Sequence, residues 1–181
     1  MKKYRKVWKI VFTVLALCTG LCAYAQSTWK ADTGSAKITF TTGSPFGQVK
    51  GSLAGLRATI VFDENNPGSG SMSASVDPLT IKTGIALRDK HLKEKEEFFQ
   101  PSIFPLIAFK SNLLKKTSTG YEVSGNLTIK AVTRWIQIPF TFQKTEKGAI
   151  FKGQFTLDAY DYSLGTSSKP VTVYLEIPVS N

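Results

Sequence analysis

Few residues in this chain have side chains suited to bond-making chemistry. His91 is the single histidine, and Asp89 lies two positions before it. Such a pair could act as base and orienting acid, but a nucleophile would have to join them. No Gly-x-Ser-x-Gly turn occurs to present one. The close carboxylate pairs are Asp63/Glu64, Glu96/Glu97 and Asp158/Asp161. All lie beside turn residues or in a charged run, where a solvated carboxylate is the default. With no second histidine and no cysteine beyond residue 25, a zinc site is poorly supplied with ligands. Both cysteines, Cys18 and Cys22, fall in an apolar stretch near the N-terminus. No glycine loop follows a strand and opens a helix to cradle phosphate. The positive feature is apolar. Eleven of the twelve phenylalanines lie beyond residue 25, many of them on alternating positions.

The N-terminus is set aside from the fold. Lys2, Lys3, Arg5, Lys6 and Lys9 precede an apolar run from Ile10 to about Ala23. Ala23-Tyr24-Ala25 then fits a small-x-small cleavage pattern, so residues 1–25 read as a signal peptide cut before Gln26. The apolar run is short for a membrane span, which needs roughly 20 residues. The expected mature chain, residues 26–181, is periplasmic or secreted and contains no cysteine. The leader carries five of the 23 basic residues and none of the 13 acidic ones, leaving +5 on the remainder. That is too little for a nucleic-acid binder. It allows transient contact with an anionic membrane surface. Oligomeric state, a homodimer included, is left open.

Beyond the leader, the signal is a period of two. Ile136, Ile138, Phe140 and Phe142 are apolar at alternate positions, as are Phe151, Phe155 and Leu157. Val171, Val173, Leu175, Ile177 and Val179 repeat the pattern. Each run predicts a strand with one buried face. Turn residues at Gly43-Ser44-Pro45, Asn65-Asn66-Pro67-Gly68, Thr119-Gly120 and Lys147-Gly148 separate such runs. An all-β antiparallel meander of about eight strands follows. Closure into a barrel would remove its edges, and a two-sheet sandwich fits the same period. Leu87–Gln100 has no alternation and predicts one short inserted helix ending near Pro101.

A small barrel either fills its centre with side chains or lines a slot for a ligand. The inward parities and the helix nominate an apolar lining of Phe40, Phe62, Ile81, Leu92, Phe98, Phe109, Leu127, Ile138, Phe140, Phe155 and Leu175. Charge and histidine converge on apolar residues at Arg88–Leu92, so Arg88, Asp89 and His91 are the candidate mouth. Arg88 and Asp89 also fit a structural ion pair tying the helix to the barrel.

The order of motifs resembles the YceI-like family. It runs Trp29-x-x-Asp32, Ile38-x-Phe40, Val49-x-Gly51 and Gly55-x-x-Ala58-Thr59-Ile60-Val61-Phe62-Asp63. Thr80-Ile81-x-Thr83-Gly84, Arg88-Asp89-x-His91-Leu92-Lys93, Phe98-Phe99 and Phe104-Pro105-x-Ile107-x-Phe109-x-Ser111 follow. Gly125-Asn126-Leu127-Thr128-Ile129-Lys130-x-Val132-Thr133 and Phe155-x-Leu157 close the series. The resemblance implies an eight-stranded lipocalin-like barrel without enzymatic activity. It further implies a polyisoprenoid ligand, such as a prenyl-quinone or polyprenyl lipid, or a related amphiphile, with no other cofactor. The chain departs from the family pattern at Ser35-Ala36, at Ala131 where glycine is usual, and at Ala159 where arginine is common. A surface-acting adhesion or matrix module, using Trp135 or Tyr174, is the rival reading. A hydrolase built on His91 and Asp89 is the other.

Overall fold

A computed structural model describes residues 27–45 and 47–180. The expected leader and its cleavage site lie outside the described residues. The strands are β1 (Ser27–Ala31), β2 (Lys37–Ser44), β3 (Gly47–Leu53), β4 (Arg57–Phe62) and β5 (Ser71–Val76). They continue with β6 (Ile107–Thr117), β7 (Gly120–Ile129), β8 (Val132–Thr145), β9 (Gly148–Asp158) and β10 (Pro170–Ser180). One helix, α1 (Ala86–Glu94), lies between β5 and β6.

The sheet runs β1-β4-β5-β6-β7-β8-β9-β10, every pair antiparallel, and β10 returns to β1. Lys30 faces Ser180 and Ala31 faces Val179 at that closure. Eight strands therefore form the closed barrel, not the sandwich. The strands β2 and β3 form a hairpin that hangs on the same edge of β10, higher up, where Val171–Glu176 face Thr42–Lys37. The alternation explains the wall. Along β8, Ile138 and Phe140 are buried, while Trp135, Gln137, Pro139 and Thr141 face solvent.

One end of the barrel is solid. Trp29, Phe62, Phe140 and Phe151 are buried there with Tyr121 and Phe142 packed against them. Phe62 sits at the centre, its ring 5.0 Å from Tyr121 and Phe142 and 5.4 Å from Phe151. These tilted and edge-on contacts suit the aromatic quadrupole. The indole Nε1–H of Trp29 donates to the Phe62 carbonyl at 3.2 Å, satisfying a buried polar atom.

The other end is covered by irregular chain. The helix begins at Ala86, one residue before the expected segment, but stops at Glu94, and Lys95 is already extended. The Phe99 N–H then folds back to the Leu92 carbonyl at 3.0 Å. Phe98 and Phe99 both line the interior. Consecutive helical residues point about 100° apart, so a continued helix could not aim both inward. No side chain of α1 is fully buried, so the helix rests on the rim.

Between β3 and the barrel wall there is a seam. The outer edge of β3 meets the rest of the wall at one bridge, Ser52 with Lys82. Their two backbone bonds are 2.8 and 3.0 Å. The Thr80 hydroxyl adds a stitch by accepting from the Ala54 N–H at 3.1 Å.

Candidate ligand cavity

A cavity of about 660 Å³ runs through the barrel above the aromatic plug. Its floor is Phe140, Phe151 and Ile177, and its wall carries Ile38, Ile60, Val123 and Ile138. The rim carries Arg88, His91, Glu97, Thr166, Ser167 and Lys169. Small residues leave much of the room. Ala58 and Ala74 face each other across β4 and β5, and both line the space. Gly153 lines it too, yet a Cβ there would meet Ile138 Cγ2 at 3.3 Å. The room its missing side chain leaves is largely taken by that neighbour. Gly51 serves the lining from across a strand pair: the ring of its partner Phe40 lies where a Cβ would be.

Phe40, Ile81, Leu92, Phe98, Phe109 and Leu127 of the nominated residues border this cavity. So do Ile138, Phe140, Phe155 and Leu175. Phe62 does not. It faces inward as its parity requires, but β4 ends at the plug and spends the ring on the aromatic cluster. The periodicity gives the face of a strand and not the height along the barrel. Missed by the sequence reading were Ala58, Met72 and Ala74, whose inward alternation on β4 and β5 is the signal that could have found them. Lys169 and Glu97 were missed because they sit on loops with no period.

The mouth residues divide. Arg88 and His91 border the cavity and Asp89 does not. The Asp89 carboxylate accepts from the N–H of Thr83 at 2.8 Å and from its hydroxyl at 2.6 Å. Arg88 Nε donates to the same hydroxyl at 3.0 Å. Both side chains therefore bind α1 to the preceding turn, and no ion pair joins them directly. The Thr83 hydroxyl, with its backbone N–H and nearby Lys93 and Arg88, holds the Asp89 carboxyl below the usual carboxylate range. Asp89 thus does not orient His91. Among the described residues the imidazole has no hydrogen-bond partner, and no three His, Cys, Asp or Glu side chains converge on a metal-sized site.

A second cluster seals the far rim. Leu127, Ile129, Tyr162 and Leu164 are buried together, with Ala159 against them. Lys130 Nζ donates to the carbonyls of Glu96 and Ser163, tying the loop after α1 to the loop before β10. Gly165 N–H reaches the Glu97 carbonyl at 2.6 Å. Arg134 Nε donates to the Asp161 carbonyl at 3.1 Å, pinning this corner from β8. The hydroxyl of Tyr162 is buried with no partner among the described residues, and burial pushes it up to about 12.

A closed eight-stranded antiparallel barrel with one solid end and one apolar interior slot has lipocalin-like architecture. The chain belongs to the YceI-like family, whose domain it matches over residues 29–180. It is 30% identical over 140 residues to the UPF0312 protein YE1254 of Yersinia enterocolitica, covering 72% of this chain and 70% of that one. The UPF0312 protein YPTB2234 of Yersinia pseudotuberculosis is 29% identical over the same length. Among solved structures, BcnA of Burkholderia cenocepacia superposes with a TM-score of 0.76 at 19% identity, over 83% of this chain and 99% of that one. A polyisoprenoid binding domain from Saccharophagus degradans superposes with a TM-score of 0.59 at 14% identity, over 82% and 97%. These likenesses establish the fold.

Proposed function

We propose that the protein is a non-catalytic binder carrying one long-chain isoprenoid, a prenyl-quinone or polyprenyl lipid, or a similar amphiphile, in its barrel and outside the cytoplasm. The observation that carries this reading is the 660 Å³ cavity. It falls within the roughly 300–1,000 Å³ of small-molecule sites. Its body is mainly aliphatic and aromatic, and its charged or ionisable lining residues are Arg88, His91, Glu97 and Lys169. A polyisoprene chain has almost no hydrogen-bonding groups. It gains about 25 cal/mol for each Å² removed from water. The long, one-ended slot suits a chain that enters tail first and leaves its head near Arg88, His91 and Lys169.

The fold shared with the Saccharophagus domain supports an isoprenoid over other apolar ligands. The basic, apolar and small-residue order of the first 25 residues supports export. The non-catalytic reading draws on the Asp89 geometry, since its carboxylate is committed to Thr83 and is not paired with His91.

The test is native mass spectrometry of protein taken from its own cell envelope, followed by organic extraction. A stoichiometric prenyl lipid is the expected result. The Ala74→Trp variant, which puts an indole into the slot, is expected to lose most of it. A ligand-free protein that also ignores added isoprenoids would defeat the proposal.

A further inference from the structure

Nine large hydrophobic side chains are well exposed among the described residues, and five of them fall between Leu79 and Leu106. These are Leu79 at 55%, Ile85 at 53%, Leu87 at 63%, Ile103 at 62% and Leu106 at 53%. Single exposed apolar residues need no explanation, but a concentration in one segment does. This segment is the outer lip of the seam. Leu79 lies in the turn whose Thr80 stitches to Ala54, and Lys82 makes the bridge to Ser52. Leu106 joins the same lip, because its neighbour Ile107 faces Val76 at the end of the β5–β6 pair.

The lip carries one exposed cation, Lys82, that joins no ion pair among the described residues. From Leu79 to Arg88 the ionised side chains are Lys82 and Arg88, with no acid. Exposed Lys50 stands across the seam on β3. The acids that flank it stay charged: Asp77 accepts the Leu79 N–H, and Asp89, which holds Thr83, offsets Arg88, so the free cations are Lys82 and Lys50. Inside the lip, the cavity is lined by Val49, Met72 and Ile81. Apolar side chains beside unpaired cations complement a bilayer surface that combines acyl chains with anionic head groups.

We propose that the outer lip of the seam, Leu79 to Leu87 with Leu106, docks the barrel on an anionic lipid bilayer. The seam behind it is where lipid passes between bilayer and cavity. Docking stands apart from what fills the cavity, and only the passage step rests on the lipid-binding reading.

The experiment is co-sedimentation of the mature protein with phosphatidylglycerol–phosphatidylcholine vesicles, against phosphatidylcholine vesicles. Wild type is expected on the former and largely free of the latter. Leu79→Ser with Leu87→Ser should cut the bound fraction about tenfold or more. Lys82→Ala should cut it about fivefold. Trp135→Ser, an exposed aromatic on β8 two strands from β6, should leave it unchanged. All four positions are exposed, so unchanged melting will certify the fold. Wild type that ignores the anionic vesicles, or a double serine variant that still binds them, would overturn the proposal. So would equal loss in Trp135→Ser. Uptake of a fluorescent isoprenol added in solution separates the two readings. Retained uptake with lost sedimentation supports docking, whereas absent uptake with normal sedimentation overturns the passage step and leaves docking standing.

Discussion

At the scale of the residue, a turn and one buried phenol carry conformations or groups that the fold tolerates at a cost. Lys130 and Ala131 make the two-residue turn between β7 and β8, with φ of 50° and 63°. Such a turn asks for positive φ at both positions, where a Cβ crowds the backbone. Ala131→Gly is expected to raise stability by about 1 kcal/mol, read by urea unfolding. Lys130 must keep its side chain, because Nζ ties the two rim loops together. Tyr162 presents the second case. Its folded phenol ionises near 12 rather than at the ordinary value of 10.0. Below pH 10 both folded and unfolded forms are neutral, and between these values only the unfolded one loses its proton. Stability should therefore fall as pH rises from about 10 towards 12. Tyr162→Phe should remove that alkaline fall. It should also be neutral or stabilising at pH 7, since the hydroxyl has no partner to lose.

At the scale of the element, α1 is held by its first turn more than by its packing. Asp89 fastens it to Thr83 through two bonds, and no helical side chain is fully buried. The folded carboxyl is held below its ordinary 3.8, so its contribution is present above about pH 4 and is lost as pH falls through the depressed value. Asp89→Asn should raise amide hydrogen exchange over residues 83–94 at neutral pH, leave the plug strands protected, and flatten the acid dependence of that region. The strands were legible in the sequence because alternation is a local property. Ile138 and Phe140 reveal their face without knowledge of their neighbours. Which strands end at the plug is not local. Phe62 and Phe109 share an inward parity, yet one fills the closed end and the other lines the slot. The length of α1 was hidden for a related reason, since its end is set by where two phenylalanines must point.

At the scale of the whole molecule, the cavity costs stability that a ligand returns. An open slot forgoes the contacts that a packed core would supply. A ligand bound to the folded state alone raises stability by RT ln(1 + [L]/Kd). Protein stripped of lipid by organic extraction and refolding should therefore melt lower than protein as isolated, and added isoprenoid should restore the difference. Equal melting of the two forms would speak against a resident lipid. The surface reading based on Trp135 and Tyr174 finds no joined patch. Tyr174 on β10 faces Gln154 on β9, and the β8–β9 pairing begins only at Phe140, five residues along from Trp135.

The last strand bears more than its share of the ring. β10 pairs with β9 on one edge and with both β1 and β2 on the other. Its closing partners with β1 are residues 179 and 180, against residues 30 and 31. Nearly the whole chain must therefore be present before the circle can shut. Contacts this distant in sequence make for slow folding, because loop entropy is lost before pairing rewards it. Until that moment the edges of β1, β2 and β9 stand open, and a half-made barrel is a template for its neighbours. The step that guards the molecule against aggregation is thus also the final one in its assembly, and a chain shortened by a few C-terminal residues would linger in the vulnerable state.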